Sequence, residues 1–268
     1  MNGEKILESS PGLFGKISIC ETVNPAIRLM KINDEIEGQA FSIPNATDFS
    51  CTLDGPGPVS ASRYLYGFII AAWLFPDKKA LVLGLGAGIG VTLLLTLFPK
   101  LTLTVVEIDA QVIRLAKRYF PLIAFYEAQG RLQIIESAAE IYLENCDDFF
   151  AFTLLDLFSG DEKNHHNLQL IDKALERSPY FMANIITSEK VLPVIERAIN
   201  VNELMWLRAY PSNMAERINW IMTNLNAIPP KIQEYTLFSD MESAENIMLA
   251  NEYFNYILSQ VNAACFYR

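Results

Sequence analysis

The segment Ala80-Leu-Val-Leu-Gly84-Leu-Gly86-Ala-Gly88-Ile-Gly90, followed by Thr102-Leu-Thr-Val-Val-Glu107-Ile-Asp109, decides the fold. An apolar run of strand length stops at glycines and passes into Val91-Thr-Leu-Leu-Leu-Thr-Leu-Phe98, which reads as a helix. The order is strand, glycine turn, helix. Glycines suit it because the chain must turn sharply and bring bare backbone N–H groups, at a helix N-terminus, against a polar ligand. The second segment is another buried strand, and it ends in an acid.

An acid about twenty residues past the glycines, at the tip of the next strand, is placed to accept hydrogen bonds from ribose hydroxyls in a doubly wound sheet. Glu107 occupies that position. A dinucleotide fingerprint requires glycine at its first, third and sixth positions, yet the sixth residue is Ile89 counting from Gly84 and Val91 counting from Gly86. The spacing therefore disfavours NAD. Gly84, Gly86 and Gly88 form instead the G-x-G-x-G of class I folds that bind S-adenosylmethionine or its decarboxylated form, whose single nucleoside has no pyrophosphate to seat. A tight turn without a ligand is the alternative reading of the glycines, and Glu107 at the expected distance argues against it.

With 268 residues and 51% hydrophobic content, the chain can build one large domain with appendages. A net charge of −10 opposes a nucleic-acid groove and favours small cations, amines among them. The apolar run over residues 68–75 is too short to span a bilayer, and Met1-Asn-Gly-Glu-Lys lacks the start of a signal peptide, so a cytoplasmic location away from membranes is expected. Cys20, Cys51, Cys146 and Cys265 show no C-x-x-C spacing and suggest neither a disulfide framework nor zinc. His165 and His166 read as a solvated pair in a polar loop, and no metal site is expected.

Ahead of the glycine segment, residues 14–43 alternate apolar and polar positions in three bursts: Lys16-Ile-Ser-Ile-Cys20, Ile27-Arg-Leu-Met-Lys-Ile32 and Gln39-Ala-Phe-Ser-Ile43. They predict three antiparallel strands, a ribbon that must pack on something larger or on a second copy of itself. Gly55-Pro-Gly-Pro58 closes this part, and residues 60–75 read as a helix stopped by Pro76. From Lys79 strands and helices alternate. A helix over 110–119, N-capped by Asp109 and ended by Pro121, precedes a strand over 131–135 and a helix over 137–145. Phe149-Phe-Ala-Phe-Thr-Leu-Leu-Asp156 is a strand with an acid at its tip, followed by a helix over 168–177, a strand over 181–186 and a helix over 188–200. Strands over 203–210 and 217–224 have no helix between them, which predicts antiparallel pairing. Beyond Ile228-Pro-Pro230, residues 243–261 place Ile247, Ala250, Phe254, Ile257, Leu258 and Val261 on one helix face, for docking on the main domain or for a dimer contact. The expected organisation is an N-terminal β-strand subdomain (1–57), a Rossmann-like nucleoside-binding domain (58–226) and a C-terminal helical extension (227–268).

Leu81-Val-Leu-Gly-Leu-Gly-Ala-Gly88, Val106-Glu-Ile-Asp109, Val112-Ile-Arg-Leu-Ala-Lys-Arg-Tyr-Phe120, Arg131-Leu-Gln-Ile-Ile135 and Leu154-Leu-Asp-Leu-Phe-Ser-Gly160 are specific as a set. Over residues 15–224 the chain resembles the spermidine synthase (polyamine aminopropyltransferase) family, in particular its spermidine-synthase-like bacterial branch. The resemblance implies an α/β fold of the class I S-adenosylmethionine-methyltransferase type, mostly parallel with an antiparallel last strand, and a homodimer. It implies that Gly84, Leu85, Gly86, Gly88, Glu107, Ile108, Ser137 and Ala138 hold the nucleoside, with Glu107 on the ribose. Asp156 matches the acid that helps take a proton from the attacking amine, and Tyr66 and Ser159 are expected with it at the acceptor.

The chain also departs from the family pattern. Gly-Gly-Gly-Asp-Gly becomes Gly84-Leu-Gly-Ala87-Gly, so the carboxylate that should hold the aminopropyl amine is missing. The Gly-Asp at the adenine is Ser137-Ala138, Asp-Ser-Ser-Asp is Asp156-Leu-Phe-Ser159, and Gly67-Phe68 stands where the tyrosine helix should supply an acid. Aminopropyl transfer brings a cationic diamine to a cationic sulfonium and needs acids to hold that charge. Asp156 remains, with Asp161 and Glu162 nearby, and Ala87, Leu157, Phe158 and Phe68 are expected to line a less polar pocket. The expected function is transfer of a methyl or aminopropyl group from S-adenosylmethionine or its decarboxylated form to a small amine or similar nucleophile. The replaced acids leave a second reading open: a non-catalytic descendant that binds a nucleoside or a protein partner.

Overall fold

A computed structural model describes residues 4–22, 27–41, 65–157, 165–187, 192–199, 204–208, 218–225 and 266–267. The N-terminal alternation folds into four strands, β1 (Glu4–Gly12), β2 (Gly15–Thr22), β3 (Ile27–Ile32) and β4 (Glu35–Phe41), paired antiparallel in that order. This is one strand more than the three the alternation predicts, and the last begins at Glu35 rather than Gln39. β1 escapes sequence reading because its side chains are exposed or half-buried at the sheet edge, so no apolar face marks it. β4 starts early because Asn33 and Asp34, at φ 49° and 70°, make a two-residue hairpin turn, for which asparagine and aspartate are well suited.

The remaining elements are α1 (Leu65–Leu74), β5 (Lys79–Leu83), α2 (Ile89–Leu97), β6 (Thr102–Glu107), α3 (Ala110–Tyr119), α4 (Pro121–Ala128), β7 (Leu132–Glu136) and α5 (Ala139–Asn145). They continue with β8 (Thr153–Leu155), α6 (His165–Leu175), β9 (Phe181–Thr187), α7 (Leu192–Ala198), β10 (Met205–Arg208), β11 (Ile218–Thr223) and β12 (Phe266–Tyr267). The strands form one sheet in the order β12-β10-β11-β9-β8-β5-β6-β7. β5 to β9 pair in parallel, and β11 pairs antiparallel with both β9 and β10. The expected mostly parallel sheet with a reversed final strand is present, extended by the two-residue β12, which no sequence pattern announced.

Three local expectations are corrected. Pro121 does not simply end α3; it opens α4, where its missing N–H is no loss at a first helical position. The strand expected over 149–156 narrows to β8, since Phe149 is 74% exposed and Phe150 N–H bonds to Arg177 O rather than to a neighbouring strand. The helix expected over 168–177 runs over α6 instead, while α7 falls within the helix expected over 188–200, whose residues 188–191 and 200 lie outside the described residues. The proposed boundaries near residues 57 and 227, and the helix expected over 243–261, lie outside the described residues.

Successive residues of β5 feed opposite faces of the sheet, as strand pleating requires. Ala80 and Val82 join a core with α1, α2, α3 and α4, while Leu81 and Leu83 join one with α5, α6 and Trp220. Ile17, Ile19 and Met30 of the N-terminal sheet are fully buried in the first of these cores. Asp109 reinforces that junction: Oδ1 accepts from Gln111 N–H at 2.8 Å, capping α3, and Oδ2 accepts from Leu13 N–H at 2.6 Å, holding the β1–β2 turn. Among the described residues no helix is long and apolar enough to cross a membrane, and no group of His, Cys, Asp and Glu could hold a metal ion.

Candidate active site

In the sheet order the chain leaves β5 to one side through β6 and β7, then returns to its other side at β8. A crevice forms at the carboxyl ends of strands where the order reverses in this way. The glycine turn, Glu107 and Asp156 all stand at those carboxyl ends.

Gly84 fastens the turn between two strands. Its N–H donates to Val106 O at 2.8 Å, its φ is 98°, and a Cβ there would overlap the carbonyl oxygen of Asp156. Only glycine fits such a backbone approach. Glu107 is held over the turn by both oxygens: Oε2 accepts from Leu85 N–H at 2.9 Å and Oε1 from Asp109 N–H at 2.9 Å. An ionised carboxylate has about four lone-pair directions, so capacity remains on each oxygen for a ligand's hydroxyls. Ile108, beside it, is 42% exposed. Ser137 N–H donates to Glu107 O at 3.0 Å, which brings Ser137 and Ala138 to the same end of the sheet.

Asp156 follows β8, its N–H donating to Leu83 O at 2.8 Å and its Oδ1 accepting from Asn184 Nδ2 at 3.0 Å. Asn184 comes from β9, and its own Oδ1 is shut off from solvent and takes no hydrogen bond from the described residues. Glu37, from β4, is the second unforeseen residue. Burial, helped by the negative charges of Asp156, Glu35 and Glu107, pushes its carboxyl up to about 7. A lone asparagine inside Phe181-Met-Ala-Asn184-Ile-Ile was a signal available in the sequence, because a polar residue in a buried strand must find a partner.

The structure thus brings together Gly84, Leu85, Gly86, Gly88, Glu107, Ser137, Ala138 and Asp156. Tyr66 lies in α1, with its side chain outside the described residues, and Ser159, Phe158, Asp161 and Glu162 also lie outside them. The expected apolar pocket is corrected in part. Ala87 and Phe68, 1% and 2% exposed, pack into the core rather than line an open surface.

No family model matches the chain. A polyamine aminopropyltransferase of Vibrio vulnificus is 27% identical over 132 residues, a match spanning 46% of this chain and 43% of that relative. A probable spermidine synthase of Corynebacterium glutamicum superposes with a TM-score of 0.63 at 15% identity, covering 92% of this chain and 87% of that one. The spermidine synthase of Thermotoga maritima gives 0.61 at 14% identity, with 95% and 88% covered. A spermidine synthase in complex with the transition-state analogue AdoDATO gives 0.60 at 12% identity, again with 95% and 88% covered.

Proposed function

We propose, from the premise that the chain is spermidine-synthase-like, that it transfers an aminopropyl group from decarboxylated S-adenosylmethionine to a small amine. The observation that carries this reading is Glu107, whose two oxygens are fixed by Leu85 and Asp109 N–H groups above a turn that only glycines allow. Its remaining lone pairs accept the ribose hydroxyls, the exposed Ile108 side chain offers the base an apolar face, and Ser137 and Ala138 close the same end. Residues 58–226 form the nucleoside-binding unit in this reading, and the protein works as a cytoplasmic homodimer.

In the reaction an amine nitrogen attacks the aminopropyl carbon bonded to sulfur. The new N–C bond forms as the C–S bond breaks, the bonding pair goes to the sulfonium, and neutral methylthioadenosine leaves. The proton that the amine sheds goes to Asp156, whose carboxylate Asn184 holds in place through Oδ1. Rate comes mainly from presenting the nucleophile in line with that carbon.

The test is calorimetric titration with decarboxylated S-adenosylmethionine, S-adenosylmethionine and methylthioadenosine, joined to turnover of labelled donors with a panel of amines. Glu107→Ala should weaken nucleoside binding by about tenfold or more, the scale of lost charged hydrogen bonds. Preference for S-adenosylmethionine would convert the reading to methyl transfer. Absence of binding by all three at millimolar concentration would end it. A second reading, a non-catalytic binding protein, is favoured by the buried Ala87 where the resemblance implies an acid. Tight nucleoside binding with no turnover would establish it.

A further inference from the structure

β3 and β4 pair regularly except at one point. Met30 faces Gly38 and Lys31 faces Ile36, so Glu37 is the extra residue of a β-bulge. A bulge leaves its extra residue without a ladder partner and re-aims the side chain. This one lies on the glycine turn, since the carbonyl oxygen of Glu37 is 3.5 Å from the position of a Cβ at Gly86. The N-terminal sheet therefore delivers a carboxylate to the carboxyl ends of the central strands.

Among the described residues, the charges that act on Glu37 come from three elements and are all negative: Glu35 on its own strand, Glu107 at the end of β6 and Asp156 after β8. The open side-chain capacity here is acceptor capacity too: the second lone pairs of Glu107 and the buried Asn184 Oδ1, which receives no hydrogen bond from the described residues. A buried acceptor without a donor is costly, and so are carboxylates facing one another. A ligand that brings positive charge and N–H donors relieves both.

We propose that Glu37 is the carboxylate that receives the cationic chain of the nucleoside ligand, in the role left vacant by Ala87, and so selects charged over neutral nucleosides. The inference rests on the function proposed above. Its consequence is that binding the cation takes a proton from Glu37. Affinity for a charged nucleoside then rises with pH through about 7, whereas affinity for neutral methylthioadenosine does not.

The experiment measures dissociation constants of decarboxylated S-adenosylmethionine and methylthioadenosine at pH 6 and pH 8, for the wild-type protein, Glu37→Gln and Glu37→Ala. Wild type should prefer the charged ligand about tenfold more strongly at pH 8 than at pH 6, as expected for ionisation across that interval. Glu37→Gln, which keeps the shape of the side chain, should lose about tenfold or more in affinity for the charged ligand, keep methylthioadenosine within about twofold, and abolish the pH dependence of the preference. Unchanged affinity for the charged ligand in both variants overturns the inference. Equal losses for both ligands also overturn it, since Glu37 would then only shape the turn. If wild type binds neither ligand, the function itself falls; if wild type binds and the variants match it, only Glu37 leaves the site.

Discussion

Replacing Gly84 with alanine imposes two costs that a second glycine separates. Gly130, between α4 and β7, has φ 70° and nothing within 4 Å of where a Cβ would stand, so alanine there meets backbone strain alone. That strain is about 1–2 kcal/mol, less about 0.4–1 kcal/mol recovered because alanine stiffens the unfolded chain. Gly130→Ala should therefore destabilise by roughly 1 kcal/mol. Gly84, at φ 98°, has the same strain plus a Cβ that overlaps the Asp156 carbonyl oxygen and lies 2.9 Å from its carbonyl carbon. This neighbour cannot rotate away. Asp156 is tied to Leu83 by its N–H at 2.8 Å, so relief requires β5 and β8 to part. Overpacking of this kind adds about 1–3 kcal/mol, which puts Gly84→Ala at roughly 2–4 kcal/mol in all. Urea unfolding of the two variants beside wild type measures both. Because the displaced group is Asp156, Gly84→Ala should also weaken nucleoside binding while Gly130→Ala leaves it unchanged. A Gly84→Ala stability within about 0.5 kcal/mol of Gly130→Ala would refute the close approach that underlies the site.

Asp109→Ala should cost about 2 kcal/mol, one part for the lost N-cap and one for Leu13 N–H left without its acceptor; the urea midpoint gives the total. Hydrogen exchange at Leu13 should quicken in the same variant, and unchanged exchange there would disprove the link to the β1–β2 turn. Stability should also fall as pH rises, because Glu37 has a folded value of about 7 against an ordinary 4.5. The sign follows from proton binding: between those values the folded protein holds the proton more firmly, so this contribution is intact below about 4.5 and gone above about 7. At about 1.4 kcal/mol per unit the effect reaches at most about 3.5 kcal/mol, and solvent reaching the carboxyl lowers it. Unfolding curves of wild type and Glu37→Gln at pH 5 and pH 8 should converge at one end and diverge at the other; parallel pH profiles would contradict it.

Local periodicity made most of the central sheet legible. α3 runs over the expected residues because Val112, Leu115 and Ala116 recur on one buried face and Asp109 supplies the cap. Three elements were not legible: β1 because it is an edge, β12 because two residues carry no pattern, and α4 because Pro121 reads equally as a stop and a start. The site divides along the same line. Glu107 could be placed over the glycines from its spacing, since one strand and one turn fix the distance between them. Glu37 could not, because it reaches the site through a hairpin turn and a bulge in a separate sheet, and the bulge shifts the alternation by one residue at a point no residue type marks. Asn184 falls between, a polar residue conspicuous in its strand but identified with Asp156 only by the sheet order.

The three-residue span Glu107-Ile-Asp109 has a consequence for how the two sheets communicate. One acid of the span holds the glycine turn, the other holds the β1–β2 turn, and Asp109 N–H is itself the donor that fixes Glu107. In the function proposed above, a ligand drawing on Glu107 and a well-seated N-terminal sheet would favour each other by the same amount, because binding coupling is reciprocal. On that proposal the N-terminal sheet takes part in the binding equilibrium as well as covering the core.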